Sequence, residues 1–214
     1  MSANFLWRFC ELLIEKVNAI IEPWSSQKSP LQKTQKETAW YTKSGPVLLT
    51  LFFRNCSLTL LFLLPGDRRK YVQDVFDLLL SELGPQTYSQ LFPIILTDNG
   101  SSFLDPSLFE MPHRQDVLTK VFYCDPMSFW QKGRLEKNHE FIRYILPKGT
   151  SFDSLTEQKV NLMMNHINST ARASLNSCTP FQLALLLLDA KLMSLMDLRS
   201  VPADQIHLKP DLIK

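Results

Sequence analysis

VLLTLFFRNCSLTLLFLLP, residues 47–65, is the stretch on which the fold turns. Two continuous apolar runs of strand length flank a polar break at Arg54, Asn55, Cys56 and Ser57, the pattern of a buried β-hairpin. A membrane span needs about 20 clean apolar residues, and Arg54 and Asn55 interrupt this run well before that. Downstream, residues 68–83 (RRKYVQDVFDLLLSEL) place Val72, Val75, Phe76, Leu79, Leu80 and Leu83 on one helical face, which stops before Gly84 and Pro85. Residues 92–96 (FPIIL) form a short apolar strand that runs into Thr97, Asp98, Asn99 and Gly100, a turn sequence. A further strand is predicted over 121–124, with helices over 133–146 and 155–169. A last helix, with Thr179 as cap and Pro180 in its first position, is predicted to run through Leu195. Strands interleaved with helices give an α/β protein with a mixed sheet flanked by helices.

Working toward the N-terminus, Phe5, Phe9, Leu12, Leu13, Lys16 and Ile20 recur near a 3.6 period, so residues 4–22 predict a helix that ends at Pro23. Arg8, Glu11, Glu15 and Lys16 interrupt this run, and no small-residue cleavage site follows, which argues against a signal peptide. Residues 23–46, rich in Ser, Lys, Gln and Pro, read as a linker. The expected division is an N-terminal helix and linker over 1–46, a core over 47–190 and a C-terminal tail over 191–214.

The composition, 45% hydrophobic and 21% charged over 214 residues, is that of a folded domain and excludes a disordered or collagenous chain. A net charge of +2 argues neither for nor against a polyanionic partner. Cys10, Cys56, Cys124 and Cys178 form no CxxC pair, so neither a zinc ribbon nor a disulfide framework is indicated, and a reducing cytoplasm is the expected compartment.

Two carboxylates stand where metal-assisted phosphodiester chemistry needs them. Two hard cations about 4 Å apart require carboxylates that converge from separate elements. Asp98 leaves a buried strand, and Glu136 lies on the helix GRLEKNHEFIRYIL, one residue from the apolar face made by Leu135, Ile142, Ile145 and Leu146. Lys132, Arg134, Lys137, Arg143 and Lys148 cluster around Glu136 in sequence and suit either phosphate contacts or a solvated helix face. His139, one turn from Glu136, reads as a packing histidine sooner than a ligand, and His113, His166 and His207 have no partner at ligand spacing.

Three segments, PIILTDNGSSF, VFYCDPMSFWQKGRLEKNHEFIRYILPKGTSF and MNHINSTARASLNSCTPFQLA, resemble the second half of the insertion-sequence-thirty group of bacterial DDE transposases. The resemblance covers about residues 47–184. It rests on T-D-N-G followed by W-x-x-G and E-x-N in order, with Trp130, Gly133 and Asn138 in register. It implies a ribonuclease H-like fold of the integrase catalytic core, with Asp98 as the second catalytic and metal-binding residue and Glu136 as the last. It also implies two Mg²⁺ or Mn²⁺ ions, DNA (element ends and target) as partner, a homo-oligomer, no membrane, and a bacterial cytoplasmic location at the nucleoid.

The family's first Asp lies on the first strand, about a dozen residues before the segment VLLTL, yet no Asp precedes Asp67. Asp67 itself reads as a solvated helix-start carboxylate. The register falls near Lys36 and Glu37, which makes Glu37 the candidate substitute. A truncated or degenerate copy, without the family's helix-turn-helix, is expected. The implied activity is DNA strand cleavage and transfer, impaired by the missing Asp. The alternatives are a non-catalytic DNA-binding or oligomerising remnant and a ribonuclease H-like nuclease of another class.

Overall fold

A computed structural model of the chain describes residues 19–24, 45–97, 103, 105–110, 117–123 and 133–214, with backbone alone for 19–24 and 133–137. The predicted hairpin forms: β2 (Val47–Phe53) and β3 (Leu58–Leu64) pair antiparallel from Val47 opposite Leu64 to Phe53 opposite Leu58. Ser57 turns the chain with φ 57°, in the left-handed region. All seven β2 residues are buried, which is why this strand reads as a continuous apolar run.

The strand beside β2 comes from a segment expected to be helical. β1 (Ala19–Trp24) pairs antiparallel with β2 and parallel with β4 (Ile94–Thr97), which pairs parallel with β5 (Lys120–Tyr123). The sheet order is β3-β2-β1-β4-β5, an antiparallel meander joined to two parallel strands, as a ribonuclease H-like core requires. The helix predicted over 4–22 is thus replaced at residues 19–22 by strand, and residues 1–18 and 25–44 lie outside the described residues. Two β-branched neighbours, Ile20 and Ile21, suit a strand. Among the described residues β1 pairs with β4 at Ala19 and Ile20, while Pro23, near the strand's end, pairs with Leu49 of β2. The sheet therefore crosses the boundary expected at residue 46.

Helix α1 (Arg69–Leu83) buries the six predicted apolar residues and stops at Gly84, whose φ of 82° suits glycine. A short helix α2 (Pro85–Leu91) follows, which the sequence reading did not separate. Phe76 meets Phe92 and Phe109 edge-on, and Phe53 lies 5.5 Å from Phe92 between ring centres, so aromatic packing fastens α1 and the turn α3 (Ser107–Glu110) to one face of the sheet. Phe52 and Leu96 anchor a separate cluster with Ile94 and Phe122.

Beyond the sheet come α4 (Gly133–Ile145), α5 (Glu157–Ser169), α6 (Pro180–Leu187) and α7 (Ala190–Leu195). Thr179 caps α6 as predicted, in a reciprocal box with Gln182. The helix does not run through to Leu195. Leu188 is extended, and the Asp189 carboxylate accepts the Lys191 amide at 2.7 Å to start a new helix. The C-terminal residues are docked: Leu192, Met193 and Leu198 are buried, and Leu208, Leu212 and Ile213 pack on the core. No helix among the described residues is long and apolar enough to cross a membrane.

Both outer strands are closed by side chains. Fully buried Asn168 of α5 accepts the Thr59 amide at 2.9 Å and donates to the Thr59 carbonyl at 2.7 Å, reproducing a strand's hydrogen bonds on β3. At the opposite border, the Glu110 carboxylate accepts the Val121 amide of β5 at 2.9 Å.

Candidate metal and nucleic-acid site

Because β1, β4 and β5 are parallel, their carboxyl ends share one border of the sheet, where α/β proteins gather binding groups. The described part of β4 ends at Thr97, the residue before Asp98 in sequence. Asp98, Glu37 and Lys132 lie outside the described residues. Glu136, Arg134 and Lys137 are placed on the first turns of α4 by backbone alone. Arg143 and Lys148 are exposed, but Arg143 stands about 10 Å further along the helix axis than Glu136, and Lys148 lies beyond its end. Of the four described basic residues, Arg134 and Lys137 thus stand on the first turns of α4, and Arg143 and Lys148 further along and past it.

The helix that carries Glu136 is firmly held. Ile142, Ile145 and Leu146 are buried, and the Arg172 guanidinium lies 3.3 Å from the centre of the Phe141 ring. Arg172 also donates to the Ile167 carbonyl at 3.0 Å, joining α4 to the end of α5. Burial pulls its pKa down to about 10, which leaves it cationic at neutral pH. Asn138 and His139 are buried, in keeping with the packing role expected of His139.

The sequence reading missed Glu22. It was read as the end of a helix, yet it sits on β1 directly opposite Thr50. Thr50 and Thr97 are fully buried, and among the described residues their hydroxyls have no hydrogen-bond partner. Also unforeseen are Arg68, Arg69 and Lys70, exposed where β3 returns to the same border. Arg69 is near enough to Tyr123 at the end of β5 to oppose the rise in that phenol's pKa, which burial, then Glu110 and Asp105, push upward. Among the described residues, no group of three or more potential metal-ligating side chains converges.

No family model matches the chain. A stretch of 63 residues is 33% identical to the transposase for insertion sequence element IS1086 of Cupriavidus metallidurans, covering 29% of this chain and 19% of that protein. Another of 61 residues is 36% identical to transposase InsI for insertion sequence element IS30A of Escherichia coli, covering 28% and 16%. Over these stretches the chain is similar to transposases of insertion sequences. Each match spans less than a fifth of the curated transposase's length. The chain also aligns with the catalytic core of BIV integrase (16% identity, TM-score 0.47, 78% of this chain and 93% of that one). A second solved core is that of HTLV-2 integrase in complex with magnesium (17% identity, TM-score 0.48, 78% and 95%).

Proposed function

We propose that this transposase relative cleaves and joins DNA strands with divalent metal, using Glu22, Asp98 and Glu136 as its carboxylate set. The observation that carries the reading is the β1 to β4 register. Ala19 is level with Ile95 and Ile20 with Leu96, and the same register carried two places on would set Glu22 level with position 98. Neighbouring parallel strands would then bring two carboxylates to the same border of the sheet, with Glu136 supplied from α4. The donor set suits Mg²⁺ or Mn²⁺, since carboxylate oxygens are hard ligands, and the buried Thr50 hydroxyl, on the strand position opposite Glu22, makes that place polar. A bound divalent ion would neutralise charge on the phosphodiester and favour deprotonation of the attacking water or 3′-hydroxyl.

Glu22 reaches one methylene further than an Asp at the same place, so it restores the charge of a first carboxylate with altered reach. Pro23 fixes the backbone immediately after it. Arg68, Arg69 and Lys70 at this border, together with Lys132, Arg134 and Lys137, would contact phosphates and set the DNA's position without reading its sequence. Arg143 and Lys148 would serve DNA further from the chemistry. Glu37 is the competing first carboxylate, and a homo-oligomer is the expected working form.

The test is Mn²⁺-dependent nicking of supercoiled plasmid by the purified chain beside Glu22→Gln, Asp98→Asn and Glu37→Gln variants. Nicking that disappears in the first two and persists in the third is expected. Loss in Glu37→Gln with full activity in Glu22→Gln would return the role to residue 37. No nicking by folded wild type would leave a non-catalytic DNA-binding or oligomerising protein.

A further inference from the structure

One face of α5 is a row of polar side chains that receives the chain after α7. Asn161 donates to the Met196 carbonyl at 2.9 Å, Asn165 accepts the Arg199 amide at 2.9 Å, and Ser169 accepts the Val201 amide at 2.9 Å. The fourth link is His166, whose Nδ1 accepts the His207 amide at 3.1 Å. Past that point the chain makes a 3₁₀ turn over Pro210–Ile213 that packs against α4 and α5, with Leu208, Leu212 and Ile213 on the core. The His207 imidazole meets the Asp211 carboxylate at 2.9 Å.

We propose that residues 203–214 form an acid-releasable clasp on α5, latched by the neutral imidazole of His166. Of the four links, three use amide or hydroxyl groups that do not titrate. The fourth needs a lone pair on Nδ1. Protonation there replaces an acceptor with a donor pointing at another donor, so the bond is lost and an imidazolium is left 7% exposed. Burial first, and the His207 imidazole second, already hold the His166 pKa below its ordinary value.

The charged and titratable groups on the elements packed there are Asp204, His207, Lys209, Asp211 and Lys214 on the clasp, Asp197 and Arg199 on the segment before it, His139, Glu140 and Arg143 on α4, and Glu157 and Lys159 on α5 itself. α6 and β3 bring no charged residue. Of these groups, His207 is the one whose charge acts on His166. A depressed histidine pKa stabilises the docked state above the undocked value of about 6.5 and loses that contribution as pH falls below it. The His207 to Asp211 pair yields only in stronger acid, because the His207 hydrogen bond lowers the Asp211 pKa from an already low value.

The test is amide hydrogen exchange on the full chain from pH 8 to 5, corrected for the intrinsic pH dependence of exchange. Protection of the His207 amide and of residues 210–214 is expected to hold down to about pH 6.5. Below that it falls, approaching about tenfold per pH unit, the limit for one proton. The Arg199 and Val201 amides keep their protection. In His166→Asn, whose side-chain oxygen accepts from a similar place without titrating, the profile becomes flat. In His207→Ala, which keeps the backbone amide and removes the imidazole that lowers the His166 pKa, the docked and undocked values lie closer together, so the fall below pH 6.5 is smaller and levels off at higher pH. A flat wild-type profile, or a His166→Asn profile that falls like wild type, would overturn the proposal. Should His166→Asn not fold, the wild-type contrast between the His207 and Val201 amides decides the matter alone.

Discussion

The two borders of the sheet solve one problem with different chemistry. At β3 a neutral amide, fully buried, makes two hydrogen bonds to one residue; at β5 a half-buried carboxylate makes one. A carboxylate can only accept, so Glu110 satisfies an amide and leaves carbonyls to other partners, whereas Asn168 satisfies both groups of Thr59. The difference follows from water. Deep under α5 a charge would be uncompensated, while beside α3 solvent still reaches the carboxylate.

The strongest way to break the comparison is to exchange the chemistry. Asn168→Asp would set a buried carboxylate against the Thr59 carbonyl and is expected to cost about 3 kcal/mol or more at pH 7 in urea unfolding. Part of that loss should return near pH 5, where the acid regains a proton to donate; a loss independent of pH would mean that water enters at Thr59. Asn168→Ala leaves both Thr59 groups unpaired and should cost about 2 kcal/mol in the same measurement. Glu110→Gln keeps an acceptor for Val121, so its expected cost is about 0.5 kcal/mol. It also removes one of the charges acting on Tyr123, whose phenol should titrate at lower pH by ultraviolet absorbance.

How much of this was legible in the sequence depended on whether a signal was local. The hairpin and α1 were readable because seven-residue apolar runs and a 3.6-residue period survive within a short window. Thr179 was readable because a cap acts on residues three positions away. β1 was not: the apolar period that starts at Phe5 continues through Ile20, and only pairing with Phe52 and Leu96, far along the chain, makes Ile20 a strand residue. Glu22 was hidden by the same error. Asp98 could be picked out as the residue leaving an apolar strand, and Glu136 from its place on a helix. The link between His166 and His207 spans 41 residues and runs through a backbone amide, which no side-chain spacing reveals.

The position of β1 also bears on how the molecule is made. The β2–β3 hairpin closes across a four-residue turn, and β1 adds to it from just upstream. The other side of β1 is paired by Ile95 and Leu96, which leave the ribosome much later. During synthesis the middle strand of the finished sheet is thus an outer strand, with open backbone groups, until β4 arrives. That interval is when a nascent chain is most exposed to pairing with a neighbour. A Glu and a Pro near the end of β1 are the residue types that discourage such pairing, so the features that weakened its reading as a strand also protect it while it waits.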